Sequence, residues 1–167
     1  MFRTKDITIV AIFAAILFVQ EQVFSFLPNI QLTVFLLVLY SKVFGFKKTI
    51  IIVIIHTLLD NLVMGSMNFL YFPFMLIGWL VIPCTVCSLL KNNDNNIVLA
   101  LFGILFSLIY SWLFIIPNVI INKLNVIAYL SADIVWEIVL AMSSFLTILW
   151  LYKPCSKIIQ KAIEDKE

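Results

Sequence analysis

Residues 97–117 read IVLALFGILFSLIYSWLFIIP, twenty-one positions without one charged side chain. A helix needs about 20 mainly apolar residues to cross the hydrocarbon core of a bilayer. A run of this length therefore fixes the class as an all-α integral membrane protein. Working outward, three further stretches have similar length, at 128–152, 69–90 and 7–26. Two shorter ones, 30–44 and 49–64, end at Gly45 and Gly65, a residue type suited to helix C-termini. The sequence thus predicts a six-helix transmembrane bundle.

Composition bounds the rest. Of 167 residues, 63% are hydrophobic and 12% charged, and the mean hydropathy is +1.13. A water-soluble domain has no place for so much apolar surface. Six helices use roughly 120 residues and leave only loops and tails, so residues 1–167 read as a single domain. Arg3 and Lys5 precede an apolar run, as in a targeting peptide, but no small-x-small cleavage site ends it. The first helix is expected to be retained. Pro73, Pro83 and Pro117 fall in or at the ends of the fourth and fifth helices, where proline removes a backbone hydrogen bond.

Basic residues set the orientation. With six helices, ten of the eleven fall on one side: Arg3, Lys5, Lys42, Lys47, Lys48, Lys91, Lys153, Lys157, Lys161 and Lys166. Lys123 alone is opposite. Both termini are expected in the cytoplasm, and the chain in a bacterial plasma membrane. The net charge of +2 and the lack of a basic, aromatic stripe argue against nucleic acid.

The acids divide differently. Asp6, Asp94, Glu164, Asp165 and Glu167 lie on the lysine-rich side, whereas Glu21, Asp60, Asp133 and Glu137 fall in the outer half of helices 1, 3 and 6. A carboxylate in the membrane core costs on the order of 3 kcal/mol on the insertion scale. With no lysine or arginine at that depth, these groups must face a wet cavity, stay protonated or bind something. Asp133, Glu137, Ala141 and Ser144 share one helix face, and His56 and Asp60 are spaced to pair, with Asn61 beside them. Asn68, Tyr71, Phe72, Met75 and Trp79 run down the fourth helix, and Asn118 and Asn122 sit at the outer end of the fifth. Acids, amides and flat aromatic walls are what small-molecule pockets are made of. The candidate substrate-binding residues are Glu21, Asp60, Asn61, Asn68, Tyr71, Trp79, Asp133 and Glu137. Glu21 and Asp133 also fit a solvated place in the headgroup zone, Tyr71, Trp79 and Trp136 an interfacial or packing role, and His56 a hydrogen-bonded packing role.

Several signals point away from chemistry. Cys84 and Cys87 make a C-x-x-C, but it sits in an apolar run after Pro83 with no second Cys pair or His nearby, and they read as packing residues. No phosphate-binding loop, H-E-x-x-H or G-x-S-x-G is present. No catalytic residue, metal or cofactor is expected, and the chain does not read as an enzyme. Ala11 and Ala15 form a small-xxx-small pair that lets another helix approach closely in lipid.

Together these parts resemble the substrate-binding S components of energy-coupling factor (ECF) transporters, bacterial importers of vitamins. The resemblance covers the whole chain in architecture. Its local match is Lys5-Asp6-Ile7 followed by Ala11-Ile12-Phe13-Ala14-Ala15. It implies that Ala11 and Ala15 contact a transmembrane coupling subunit, that two cytoplasmic ATPases supply the energy, and that a vitamin-like small molecule is captured from outside. The short loops near Pro28-Asn29 and at 65–68 depart from the longer gates of that family. A cell-shape scaffold of the MreD type and a small cation-coupled carrier are the alternatives. The outer acids count against the first, and short length without repeats against the second.

Overall fold

The computed structural model describes residues 3–63 and 68–164. Among them every regular element is helical: α1 (Thr4–Phe24), α2 (Thr33–Val63), α3 (Phe72–Ser88), α4 (Asn96–Leu113), α5 (Ile115–Asn122) and α6 (Val126–Glu164). Each stretch read as helical from sequence has its counterpart, with α2 holding two of them. Gly45 divides α2 into limbs 33–44 and 46–63, with φ 76° and ψ 179°. That φ is one L side chains rarely adopt, which is why glycine stands at the break.

Contacts give the direction of each piece. Gln20 bonds to Thr33, while Phe13 packs on Tyr40 and Phe44, so α1 and the first limb of α2 are antiparallel. Lys48 meets Asp6 and His56 meets Glu21, so the second limb runs parallel to α1. The chain therefore reverses at Gly45. Antiparallel pairing continues from α3 to α4 through Tyr71–Phe114 and Trp79–Tyr110. It continues from α4 to α6 through Asn96–Leu149 and Ser107–Ser144.

Three spans, Thr4–Phe24, Asn96–Ile120 and Val126–Ile163, are long and apolar enough to cross a membrane, and α3 is a shorter apolar helix. Val10, Ala14 and Leu17 of α1 are buried, yet Ile12, Ile16, Val19 and Val23 on its other side are exposed. A helix apolar all round has an apolar medium on its free face. The same holds for Leu101 and Leu105 of α4 and for Ile134 and Ile138 of α6. The fold is that of an all-helical protein with lipid-compatible outer walls.

Helix boundaries differ from the sequence reading in several places. The fifth helix breaks at Phe114, not at Pro117. Proline at position i has no N–H for the carbonyl at i−4, here Leu113, so the helix interrupts one turn earlier and restarts with Pro117 in the first turn of α5. The sixth helix does not stop at Tyr152. It continues to Glu164 through Pro154, because Cys155 and Ile159 still pack on the core. The third helix, placed to 64 with a loop at 65–68, is described as far as Val63, and residues 64–67 lie outside the described ones.

Candidate functional site

The antiparallel packing carries Glu21, His56, Asp60, Asn118, Asp133 and Glu137 to one end of the bundle. Lys42, Lys48, Lys91 and Asp94 gather at the other. The acid-rich end is built in two halves, joined by a row of rings.

The first half lies between α1, the second limb of α2 and α3. His56 is fully buried, and its Nε2 stands 3.0 Å from Glu21 Oε2. The distance is that of an ion pair, but the angles are poor, and neither ring nitrogen of His56 nor Glu21 Oε2 makes a directed hydrogen bond. Asp60, one turn beyond His56, is buried and close enough to feel the charges of Glu21 and His56. Asn61 is turned away from these acids: its Nδ2 donates to Thr57 O at 2.9 Å and lies 3.0 Å from Met75 Sδ. Gln20 closes the floor. Its Nε2 donates to Leu17 O and Thr33 Oγ1, and its Oε1 accepts from Leu32 N, tying the end of α1 to the start of α2.

The second half lies between α4, α5 and α6. Ser111 Oγ is 3.2 Å from Asp133 Oδ2 and 3.1 Å from Glu137 Oε1. One hydroxyl proton serves only one acceptor at a time, so one carboxylate is left short of a donor. Glu137, Ala141 and Ser144 are buried, so the shared face of α6 points inward. Tyr71 OH donates to Asn118 Oδ1 at 2.7 Å, and Asn118 Nδ2 reaches Tyr129 OH at 3.2 Å. Asn68, by contrast, is exposed before α3, and its Oδ1 caps Leu70 N. The side chain of Asn122 lies outside the described ones.

Aromatic rings join the halves. Trp79 stacks on Tyr110 with centroids 3.8 Å apart and planes 22° from parallel. Tyr110 meets Phe114 at 5.0 Å, and Phe114 meets Tyr71 at 6.0 Å. Trp79 is fully buried, and its Nε1 has no acceptor. Gly78 makes the stack possible, because a Cβ there would stand 2.7 Å from Tyr110 Cδ2. The loop after α1 caps this end. Asn29, with φ 60°, donates from Nδ2 to Trp136 O, and Ser143 Oγ both accepts from Gln31 N and donates to Gln31 O. Beneath that loop, beside Glu21, lies a cleft of about 150 Å³. Ligand pockets run to about 300–1,000 Å³, so this cleft is smaller than a usual ligand pocket.

Sequence reasoning passed over Tyr110, Ser111 and Tyr129. The signal was Ser107 and Ser111, hydroxyls one turn apart inside an otherwise apolar helix: Ser107 is fully buried and bonds Ser144 Oγ at 2.7 Å. Of the alanines, Ala14 packs inside, whereas Ala11 and Ala15 lie on the exposed face of α1. Cys87 Sγ donates to Ser41 O, a packing contact between α3 and α2. Among the described residues, no group of three or more His, Cys, Asp or Glu is placed to hold a metal. Comparison with protein-family models, with curated proteins and with solved structures finds no match.

Proposed function

We propose that this chain is the substrate-binding S component of an ECF-type importer. In this reading it crosses a bacterial plasma membrane six times, with both termini in the cytoplasm. It captures a small vitamin-like molecule at the acid-rich end and hands it on through a transmembrane coupling subunit driven by two cytoplasmic ATPases.

The observation that carries the reading is the acid-rich end itself. Four carboxylates and His56 gather around a ring stack, inside a bundle walled by apolar side chains. Carboxylates at membrane depth are costly and mark functional sites by default. Such a lining suits a flat ligand bearing amines or ring N–H groups. Trp79 and His56 are closed off from outside, so entry of that ligand requires the short loops at this end to move. The exposed Ala11–Ala15 face of α1 supports the partner side of the reading, because small residues let another helix come close.

The test is co-purification of the tagged chain with an ECF coupling module, for wild type and for Ala11→Trp with Ala15→Trp. Association of the wild type and its loss in the variant are expected. Both side chains are exposed, so the variant should keep the melting temperature of the wild type. Absence of wild-type association with every module tried would overturn the proposal. A second reading, a cation-coupled carrier, draws on the close Glu21–His56 contact with Asp60 beside it. Proton flux through liposomes carrying the chain alone would favour the carrier; tight liposomes would favour the S component.

A further inference from the structure

The lysine-rich end contains a groove of about 460 Å³ between the α3–α4 turn and the continuation of α6. Its polar wall includes Lys42, Lys91, Asp94, Tyr152, Lys153 and Lys157. The groove exists because α6 does not end with its apolar run. As helix continues past Lys153, Lys153 and Lys157 stand one turn apart on it, facing the turn that holds Lys91.

The four lysines are not equivalent. The Lys42 side chain is 7% exposed, and its Nζ reaches Asp94 Oδ1 at 2.9 Å, Leu90 O at 2.7 Å and Lys91 O at 3.1 Å. An ammonium has three donors, so Lys42 is fully used in fastening α2 to the turn. Asp94 is likewise engaged, by Lys42 and by the hydroxyl of Tyr152 at 3.2 Å. Lys91, Lys153 and Lys157 are exposed, and among the described residues none has a carboxylate partner. Three positive charges thus surround one groove in which, among the described residues, the one lining carboxylate, Asp94, is already paired.

We infer that this groove binds a phosphate-bearing anion, and that its source is the headgroup of an anionic membrane phospholipid. The phosphate supplies the acceptors that three ammonium groups lack. The lipid source follows from what surrounds the groove. Leu89, two residues before Lys91, is 77% exposed, and Trp150, one helical turn before Lys153, is 67% exposed. Apolar surface for acyl chains therefore adjoins cationic surface for a headgroup, and tryptophan is at home at the boundary between the two. Basic pockets between membrane helices take anionic headgroups by the same physics. The inference requires only that this end sit at headgroup depth, and it stands independently of the import reading.

The full-length chain is purified in detergent, and native mass spectrometry reads retention of phosphatidylglycerol against phosphatidylcholine. Wild type is expected to favour phosphatidylglycerol at least tenfold. Lys91→Gln, Lys153→Gln and Lys157→Gln combined should bring that preference below about twofold, whereas Lys123→Gln should leave it unchanged. The three side chains are exposed, so the triple variant should melt within a few degrees of wild type in phosphatidylcholine. If it does not fold, the three single variants must each weaken the preference. Equal retention of the two lipids by wild type, or a preference that survives the triple change, would overturn the inference. Displacement of the lipid by millimolar inorganic phosphate would overturn the lipid source and assign the groove to a free anion.

Discussion

The two ends of the bundle hold comparable numbers of polar groups and treat them in opposite ways. At the lysine end the bonds close. Lys42 satisfies two carbonyls and Asp94, Lys48 meets Asp6 at 2.7 Å, and Asp6 also accepts from Arg3 N. At the acid end they do not. Among the described residues, seven buried side-chain atoms lack a hydrogen-bond partner; five belong to Glu21, Gln22, His56 and Trp79, and the other two to Tyr40 and Asn96. Buried polar groups in proteins are normally satisfied, and each exception calls for a reason. A closed network holds helices together. An open one inside an apolar bundle costs stability, and in the proposed reading it is where the ligand would bind.

The largest expected effect lies at the closed end. Lys42→Met removes all three bonds of one ammonium, although Leu90 O keeps Asn93 N and Asp94 keeps the Tyr152 hydroxyl. A loss of roughly 2–3 kcal/mol is expected, since hydrogen bonds to charged groups each contribute about 1.5–3 kcal/mol and the freed acceptors regain some water. Thermal unfolding in detergent reads it. Glu21→Gln at the open end should change stability by less than about 1 kcal/mol, because it removes a charge whose contact with His56 is poorly directed. Equal destabilisation by the two substitutions would break the comparison and make the acid end a second structural fastening.

A smaller effect sharpens it. Gly78→Ala places a methyl 2.7 Å from the Tyr110 ring, which lies flat on Trp79. Overpacking of this kind costs about 1–3 kcal/mol where neighbours are fixed. A loss near 1–2 kcal/mol in the same unfolding measurement would mean that the ring row is a rigid wall between two deformable acid clusters. No loss would mean that Tyr110 yields, and that the wall itself is free to adapt.

How much of this was legible depended on range along the chain. The helical stretches and the Gly45 break followed from apolar run length and one residue type. The split between lysines and acids followed from counting charges along alternating helices. His56 was visible beside Asp60, but its contact with Glu21, thirty-five positions away, depends on how α1 and α2 pack. The spacing of Ala11 and Ala15 marked a face without saying which way it turned; burial of Ala14 settles that. Tyr152 looked like an end because the apolar run stops there. Nothing local showed that Ile159 would keep packing on the core and carry the helix, with its lysines, alongside Lys91.

The smallest effect separates the two ends by pH. The hydrogen bond from Lys42, aided by its charge and by the Tyr152 hydroxyl, holds the Asp94 carboxyl below its ordinary value of 3.8. A carboxyl whose folded value is depressed stabilises the fold above its unfolded value and loses that contribution as pH falls through the folded one. The loss belongs below about pH 3.8, and its size should stay under about 1 kcal/mol because the Asp94 side chain is 77% exposed. Melting temperatures taken from pH 6 down to pH 3 should show this component in wild type and lack it in Asp94→Asn. An acid-induced loss that survives Asp94→Asn and is centred above 3.8 would belong to another carboxylate. Glu21, Asp60, Asp133 and Glu137 would then be the groups to replace one at a time, and the open end would carry stability after all.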